Sequence, residues 1–131
     1  MHRLGLLLIS AALASAGSLA ADAPAPPAPK SSLCFRPDAF QSWKAPNDTT
    51  IYIRLDHHRY YRLTLAARCP EVLQPDSHLV TRFDGANMVC DALDWNIRVI
   101  GALGFSQPCI VKAMTPLSPA EVTAIPKELR P

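Results

Sequence analysis

Between Thr49 and Arg68 the chain alternates apolar and polar residues twice over. Ile51, Ile53 and Leu55 alternate with Tyr52 and Arg54; Tyr61, Leu63 and Leu65 alternate with Arg62 and Thr64. A period of two marks a strand with one buried face, so the stretch predicts a hairpin. Residues directly opposite in a hairpin point to the same face. Placing both apolar sets on one face pairs Leu55 with Tyr61, Ile53 with Leu63 and Ile51 with Leu65. Asp56 then faces Tyr60, and His57-His58-Arg59 forms a three-residue loop. A two-residue loop would turn one apolar set to the wrong side, so the pattern selects an odd-length loop.

The remaining elements are shorter. Arg36-Pro37-Asp38 predicts a helix start, since proline suits the first helical position and an acid the first turn. Phe40 and Trp43 would share one face of that helix, and Ala45-Pro46-Asn47-Asp48 would end it in a turn. Pro70 to Leu73 reads as a helical turn. His78–Phe83 and Ala86–Asp91 flank Asp84-Gly85, a hairpin signal. Trp95, Ile97 and Val99 alternate again, extending that ribbon to Ile100. Gly101 to Pro108 reads as a loop and Cys109 to Met114 as a strand. Ser118-Pro119-Ala120-Glu121 carries an N-cap, a proline at the first position and a capping-box glutamate. Val122 and Ile125 give that short helix its apolar face, and Pro126 ends it. The expected fold is α+β and β-rich: a small antiparallel sheet of about five strands with short flanking helices, spanning residues 33–129 as a single compact domain.

The N-terminus has a different pattern. Arg3 precedes an apolar stretch from Leu4 to Ala16, and Ser18-Leu19-Ala20 places small residues at the −3 and −1 positions of a cut. That order predicts a Sec-type signal peptide over residues 1–20, cleaved near Ala20, and hence a periplasmic or secreted protein with no membrane span after cleavage. Residues 21–32 read as a Pro/Ala-rich linker; four of the 13 prolines lie here, favouring extended backbone over a packed core.

Removing the signal changes the charge. The chain has 13 Lys+Arg and 11 Asp+Glu. Without Arg3 the count is 12 against 11, a net +1, which excludes nucleic-acid binding driven by a basic patch. Four cysteines remain: Cys34, Cys69, Cys90 and Cys109. An even number in an exported domain predicts two disulfides. Zinc sites bring cysteines in close pairs. Here the gaps are 35, 21 and 19 positions, so no metal is expected. Spacing leaves three connectivities open.

Candidate chemistry is sparse. His57-His58 beside Asp56 invites a metal reading, but a metal needs further ligands from elsewhere, and a polar hairpin tip accounts for the pair. Tyr52, Arg54 and Arg62 share the polar face of the predicted hairpin and form, with His57 and His58, the candidate surface for a ligand or partner. Asp91 and Asp94 fall on opposite faces if the segment is extended, which weakens an acid–base reading. The chain lacks a nucleophile-elbow pattern and a Gly-rich phosphate loop. No catalytic residue and no cofactor are expected.

These features resemble a family of small secreted proteins of Gram-negative bacteria, known as a domain of unknown function. The resemblance rests on Cys34 followed by the stretch to Trp43, on Asn47-Asp48-Thr49-Thr50-Ile51-Tyr52, and on Tyr61-Arg62-Leu63-Thr64-Leu65. It continues through Cys69-Pro70-Glu71-Val72-Leu73, Cys90-Asp91 and Cys109-Ile110-Val111. It implies export, a compact β-rich domain and pairing of Cys34 with Cys90 and Cys69 with Cys109. It carries no catalytic residues. The expected role is a non-enzymatic periplasmic binding module for an unknown envelope protein or small ligand. The alternatives are an inhibitor or accessory subunit of an envelope enzyme and, last, a small hydrolase.

Overall fold

The structure, a computed structural model, describes residues 34–83 and 88–131. The signal peptide, the linker and the Asp84-Gly85 turn expected from the sequence lie outside the described residues. Seven strands form two antiparallel sheets, one of four strands in the order β1-β2-β3-β7 and one of three in the order β4-β5-β6. The strands are β1 (Ser42–Asn47), β2 (Thr50–Arg54), β3 (Tyr60–Leu65), β4 (His78–Phe83), β5 (Trp95–Ile100), β6 (Ser106–Cys109) and β7 (Val111–Pro116). One short α-helix, α1 (Pro119–Ala124), follows.

The β2–β3 hairpin forms as its alternation requires, with an odd loop. Its register differs from the expected one: Ile51 faces Leu63 and Ile53 faces Tyr61, and the Leu55 N–H bonds the Arg59 carbonyl. The loop is therefore Asp56-His57-His58. The cause lies in Asp56, whose Oδ1 accepts from the backbone N–H groups of His58 and Arg59 while its Oδ2 pairs with the Arg59 guanidinium at 2.7 Å. A side chain that folds the backbone onto itself moves the three-residue loop one position toward the N-terminus.

Three expectations are corrected. Phe40 and Trp43 do not share a helix: Pro37–Ala39 is one 3-10 turn, and Trp43 sits in β1 opposite Ile53. A spacing of three fits a helix, but Trp43 and Ala45 also alternate with Lys44, and the uncovered edge of β2 supplies hydrogen-bond partners that a short helix lacks. Of the strand expected over Ala86–Asp91, Ala86 and Asn87 lie outside the described residues, and Met88–Asp91 is not the partner of β4; β4 pairs with β5, from His78–Ile100 to Phe83–Trp95. Asp91 and Asp94 build a capping box around a 3-10 turn that separates the two strands. The third correction is to the strand count. Ser106 to Pro108, expected as loop, form with Cys109 an edge strand beside β5, and the chain passes through Ile110 into β7 of the other sheet. Strands β1 and β6 contain proline and lack clean alternation, so a pattern search misses them.

The two sheets share one core. From the first come Ile51, Ile53, Leu55, Tyr61, Leu63 and Leu65; from the second, Trp95, Ile97 and Val99. Phe35, 1% exposed, joins them, and its backbone bridges Val89. Two disulfides pin the periphery: Cys34–Cys90 beside the Phe35–Val89 bridge, and Cys69–Cys109, which ties the turn after β3 to the end of β6. Of the three possible connectivities, this is the one present.

Replacing Cys69 and Cys109 together by serine removes a link between positions 40 apart. In the chain-entropy account this should lower the unfolding free energy by about 4 kcal/mol. Urea denaturation of the double variant checks it; an unchanged midpoint would mean that the core alone sets the stability.

Candidate interaction surface

The outer face of the four-stranded sheet is polar and mostly claimed. Lys44, Tyr52, Arg62 and Thr115 stand in one row across it, and Ser42, Arg54 and Tyr60 in the next. The C-terminal segment crosses this face. It starts with Leu117, whose N–H bonds the Tyr60 carbonyl, and α1 follows from the Ser118–Glu121 capping box. Ile125 is buried but belongs to no part of the main core. Arg130 bonds the carbonyls of Thr123 and Ile125 at 3.0 and 2.8 Å, which satisfies the helix end. Between helix and sheet remains a cleft of about 240 Å³ lined by Tyr52, Arg62, Leu117, Glu121 and Ile125 among others. Hydrogen bonds from the Ser118 N–H and hydroxyl hold the Glu121 carboxyl below its ordinary range, and Arg62 adds attraction. Such a volume admits a single side chain or a small ion, below the usual size of a small-molecule site.

The structure thus divides the five candidate residues. Tyr52 and Arg62 are directly opposed and line the cleft, and Arg54 stands one row away. His57 and His58 are exposed at the hairpin tip, their rings 6.2 Å apart. The neighbouring Asp56 is engaged by Arg59. Among the described residues, no group of three or more His, Cys, Asp or Glu is placed to hold a metal ion. Asp91 and Asp94 are occupied as caps: Asp91 accepts from Leu93 N–H, and Asp94 accepts from the N–H groups of Cys90 and Asp91.

The three-stranded sheet presents a different surface. Its outer face carries the rows His78–Ile100–Ser106, Val80–Arg98–Pro108 and Arg82–Asn96. Arg98 is anchored to Ser106 through the hydroxyl at 2.7 Å and the carbonyl at 3.2 Å. Strands β5 and β6 meet in a tight tip at residues 101–105. There Gly101 N–H bonds the Phe105 carbonyl and Gly104 N–H the Gly101 carbonyl, with Gly104 at φ +80°, a conformation that suits glycine. That turn thrusts Leu103 and Phe105 outward, 86% and 77% exposed. Of the seven large apolar side chains exposed among the described residues, six lie between Val80 and Ile110: Val80, Met88, Leu93, Leu103, Phe105 and Ile110. Single exposed apolar residues are ordinary, but Leu103 and Phe105 jut out together from one turn, with Val80 on the adjoining outer face, and such a grouping marks a contact surface. Sequence reasoning missed this region. Its signal was present as a run without charge, Val99 to Val111, holding Leu103 and Phe105 beside glycines.

The chain's sequence places it. A family model, family of unknown function DUF6491, matches residues 1–131. The chain belongs to this family. No curated protein and no solved structure matches it. Two disulfides fit an extracellular or periplasmic member of the family, and no helix among the described residues is long and apolar enough to cross a membrane.

The hairpin tip supplies a pH test. The Asp56 carboxyl lies below its ordinary value, first through the Arg59 side-chain hydrogen bond and then through the His58 N–H. A depressed folded-state value means that its contribution to stability is present above the ordinary aspartate range and is lost as pH falls through the depressed value. Arg59→Ala should therefore raise the Asp56 midpoint toward the ordinary value in a carboxyl-carbon NMR titration. A midpoint that stays put would assign the shift to the backbone donors alone.

Proposed function

We propose that this protein is an exported binding module of the cell envelope, without chemistry of its own, whose working surface is the outer side of the β4-β5-β6 sheet together with the tip at residues 101–105. The observation that carries this reading is the pair Leu103 and Phe105, 86% and 77% exposed at the tip, with exposed Val80 on the adjoining outer face. Such side chains lower stability or solubility unless a partner covers them at least part of the time. The four-stranded sheet contrasts with this, because its outer face is polar and its C-terminal segment already lies against it. The signal-like N-terminus and the disulfides support an oxidising compartment. The proline-rich stretch over residues 21–32 acts as a spacer in this reading.

A second reading has its own support. The apolar tip, narrow and held by a glycine turn, is a shape that enters a partner's cleft, as an inhibitor or accessory subunit of an envelope enzyme would use it. In both readings the partner contacts the same surface.

A photo-crosslinking amino acid in place of Phe105 should yield a discrete adduct in cells, and the same group in place of Tyr52 should yield none. Adducts from position 52 alone, or from neither position, would sink the reading. Leu103→Ser combined with Phe105→Ser should abolish partner retention while leaving the urea midpoint unchanged, since neither side chain packs in the core.

A further inference from the structure

We propose that β4 is a docking edge: it accepts an extended segment of a partner protein as a fourth strand of the small sheet, with acidic side chains on the outward face. The inference deepens the binding-module reading and rests on it.

The two sheets have four edges, β1, β7, β4 and β6. An edge strand exposes unpaired N–H and C=O groups that invite another strand, and proteins blunt such edges with proline, bulges or charge. Three of these edges are blunted. Strand β1 contains Pro46 and breaks register between Lys44 and Asn47. Strand β7 contains Pro116 and breaks register where Thr64 gives way to Leu65 on its partner. Strand β6 contains Pro108. Proline has no N–H to donate, so each interrupts a ladder.

Strand β4 has neither proline nor bulge, and Arg82 is its one residue among Asp, Glu, Lys and Arg. His78 to Phe83 holds an unbroken register with β5 over all six residues and contains no proline. Among the described residues no strand pairs with its other side. Its backbone therefore offers a row of donors and acceptors that only another extended backbone matches.

Side chains specify that backbone further. Leu79, Thr81 and Phe83 are half-buried toward the core and His78, Val80 and Arg82 are exposed. An added strand would put apolar residues beside Leu79 and Phe83, closing the open end of the core. On the outer face it would lie beside Arg82, with Arg98 one strand away opposite Val80. The paired strands place no carboxylate on that face, so its charge complements acidic residues. A second copy fits less well. Twofold pairing in which inner faces match sets Arg82 of one copy against Val80, His78 or Arg82 of the other, gathering positive charge. The chain's own stretch over residues 22–32 is also a poor strand, with four prolines.

The probe is a synthetic eight-residue peptide alternating glutamate and valine, added to the isotope-labelled protein. It should bind saturably, with amide shifts and hydrogen-exchange protection concentrated in His78 to Phe83. N-methylating one alternate set of its amides should abolish binding, and N-methylating the other set should not, because only one set faces the edge. Arg82→Glu should weaken binding by about fivefold or more and favour a peptide alternating lysine and valine. The proposal is overturned by equal binding of both N-methylated peptides, by shifts centred on Tyr52 and Arg62, or by no binding. Self-association with β4 protected in the absence of peptide would overturn it too, making a second copy the occupant. If the Phe105 adduct persists while these results fail, the binding-module reading stands and only the docking edge falls.

Discussion

Phe35 touches Tyr61 of the first sheet and Trp95 of the second, at ring-centroid distances of 5.8 and 5.7 Å. Its backbone bridges Val89, one residue from Cys90, and Cys34 beside it is bonded to Cys90. One aromatic ring thus occupies the space between two sheets that have no helix layer to cover their apolar faces. Each sheet must bury its inner face on the other, and the segment that supplies Phe35 wedges the end of that interface. Trp95 completes the contact, with its indole N–H on the Met114 sulfur and its ring also against Phe40 and Phe83. Tilted rings at these distances stabilise beyond the area they bury, and so small a core gains from every such contact.

That constraint explains what the alternation of residues revealed. The inward rows Ile51, Ile53 and Tyr61, Leu63 were legible because a shared core demands strict period two on both strands. The Ser118 capping box was legible because its partners lie within four residues. Long-range choices were not. Trp43 fits a helix spacing as well as an edge strand, and only the presence of β2 decides. Asp84-Gly85 is a strong local turn signal that gives no warning of Asp91 and Asp94 capping a 3-10 turn before Trp95. Asp56 shifted the first loop through two hydrogen bonds to its own backbone, a local preference outweighing the longer apolar pairing.

The candidate surface shows the same limit. Tyr52, Arg54 and Arg62 share a face, as strand periodicity requires, but nothing in their own segment reveals that the chain's last fifteen residues return to that face. Ile125, remote in sequence, is buried there, and Arg130 fastens the end of the helix that carries it. Exposure of Leu103 and Phe105 is equally non-local. A Leu or Phe in an uncharged run reads as core until the turn at Gly104 aims it outward. Charge absence over Val99 to Val111 was the available clue, and it becomes informative only once β5 and β6 are known to be adjacent.

An open edge beside exposed apolar side chains is a hazard for a small β-rich protein, since the same backbone groups that accept a partner also template aggregation. The molecule limits that hazard by charge and by covalent bonds. Arg82 lies on β4 itself and Arg98 lies next to it, so two copies approaching edge to edge bring positive groups together. The disulfides act on the other side of the balance: by holding Cys34 to Cys90 and Cys69 to Cys109 they fasten both flanks of the three-stranded sheet to the core. A sheet fastened in this way can leave one edge of β4 open without fraying. Proline at Pro46, Pro108 and Pro116 closes the remaining edges at the cost of regular pairing. The exception is therefore confined to six residues, His78 to Phe83, where regular backbone, positive charge and half-covered apolar side chains coincide.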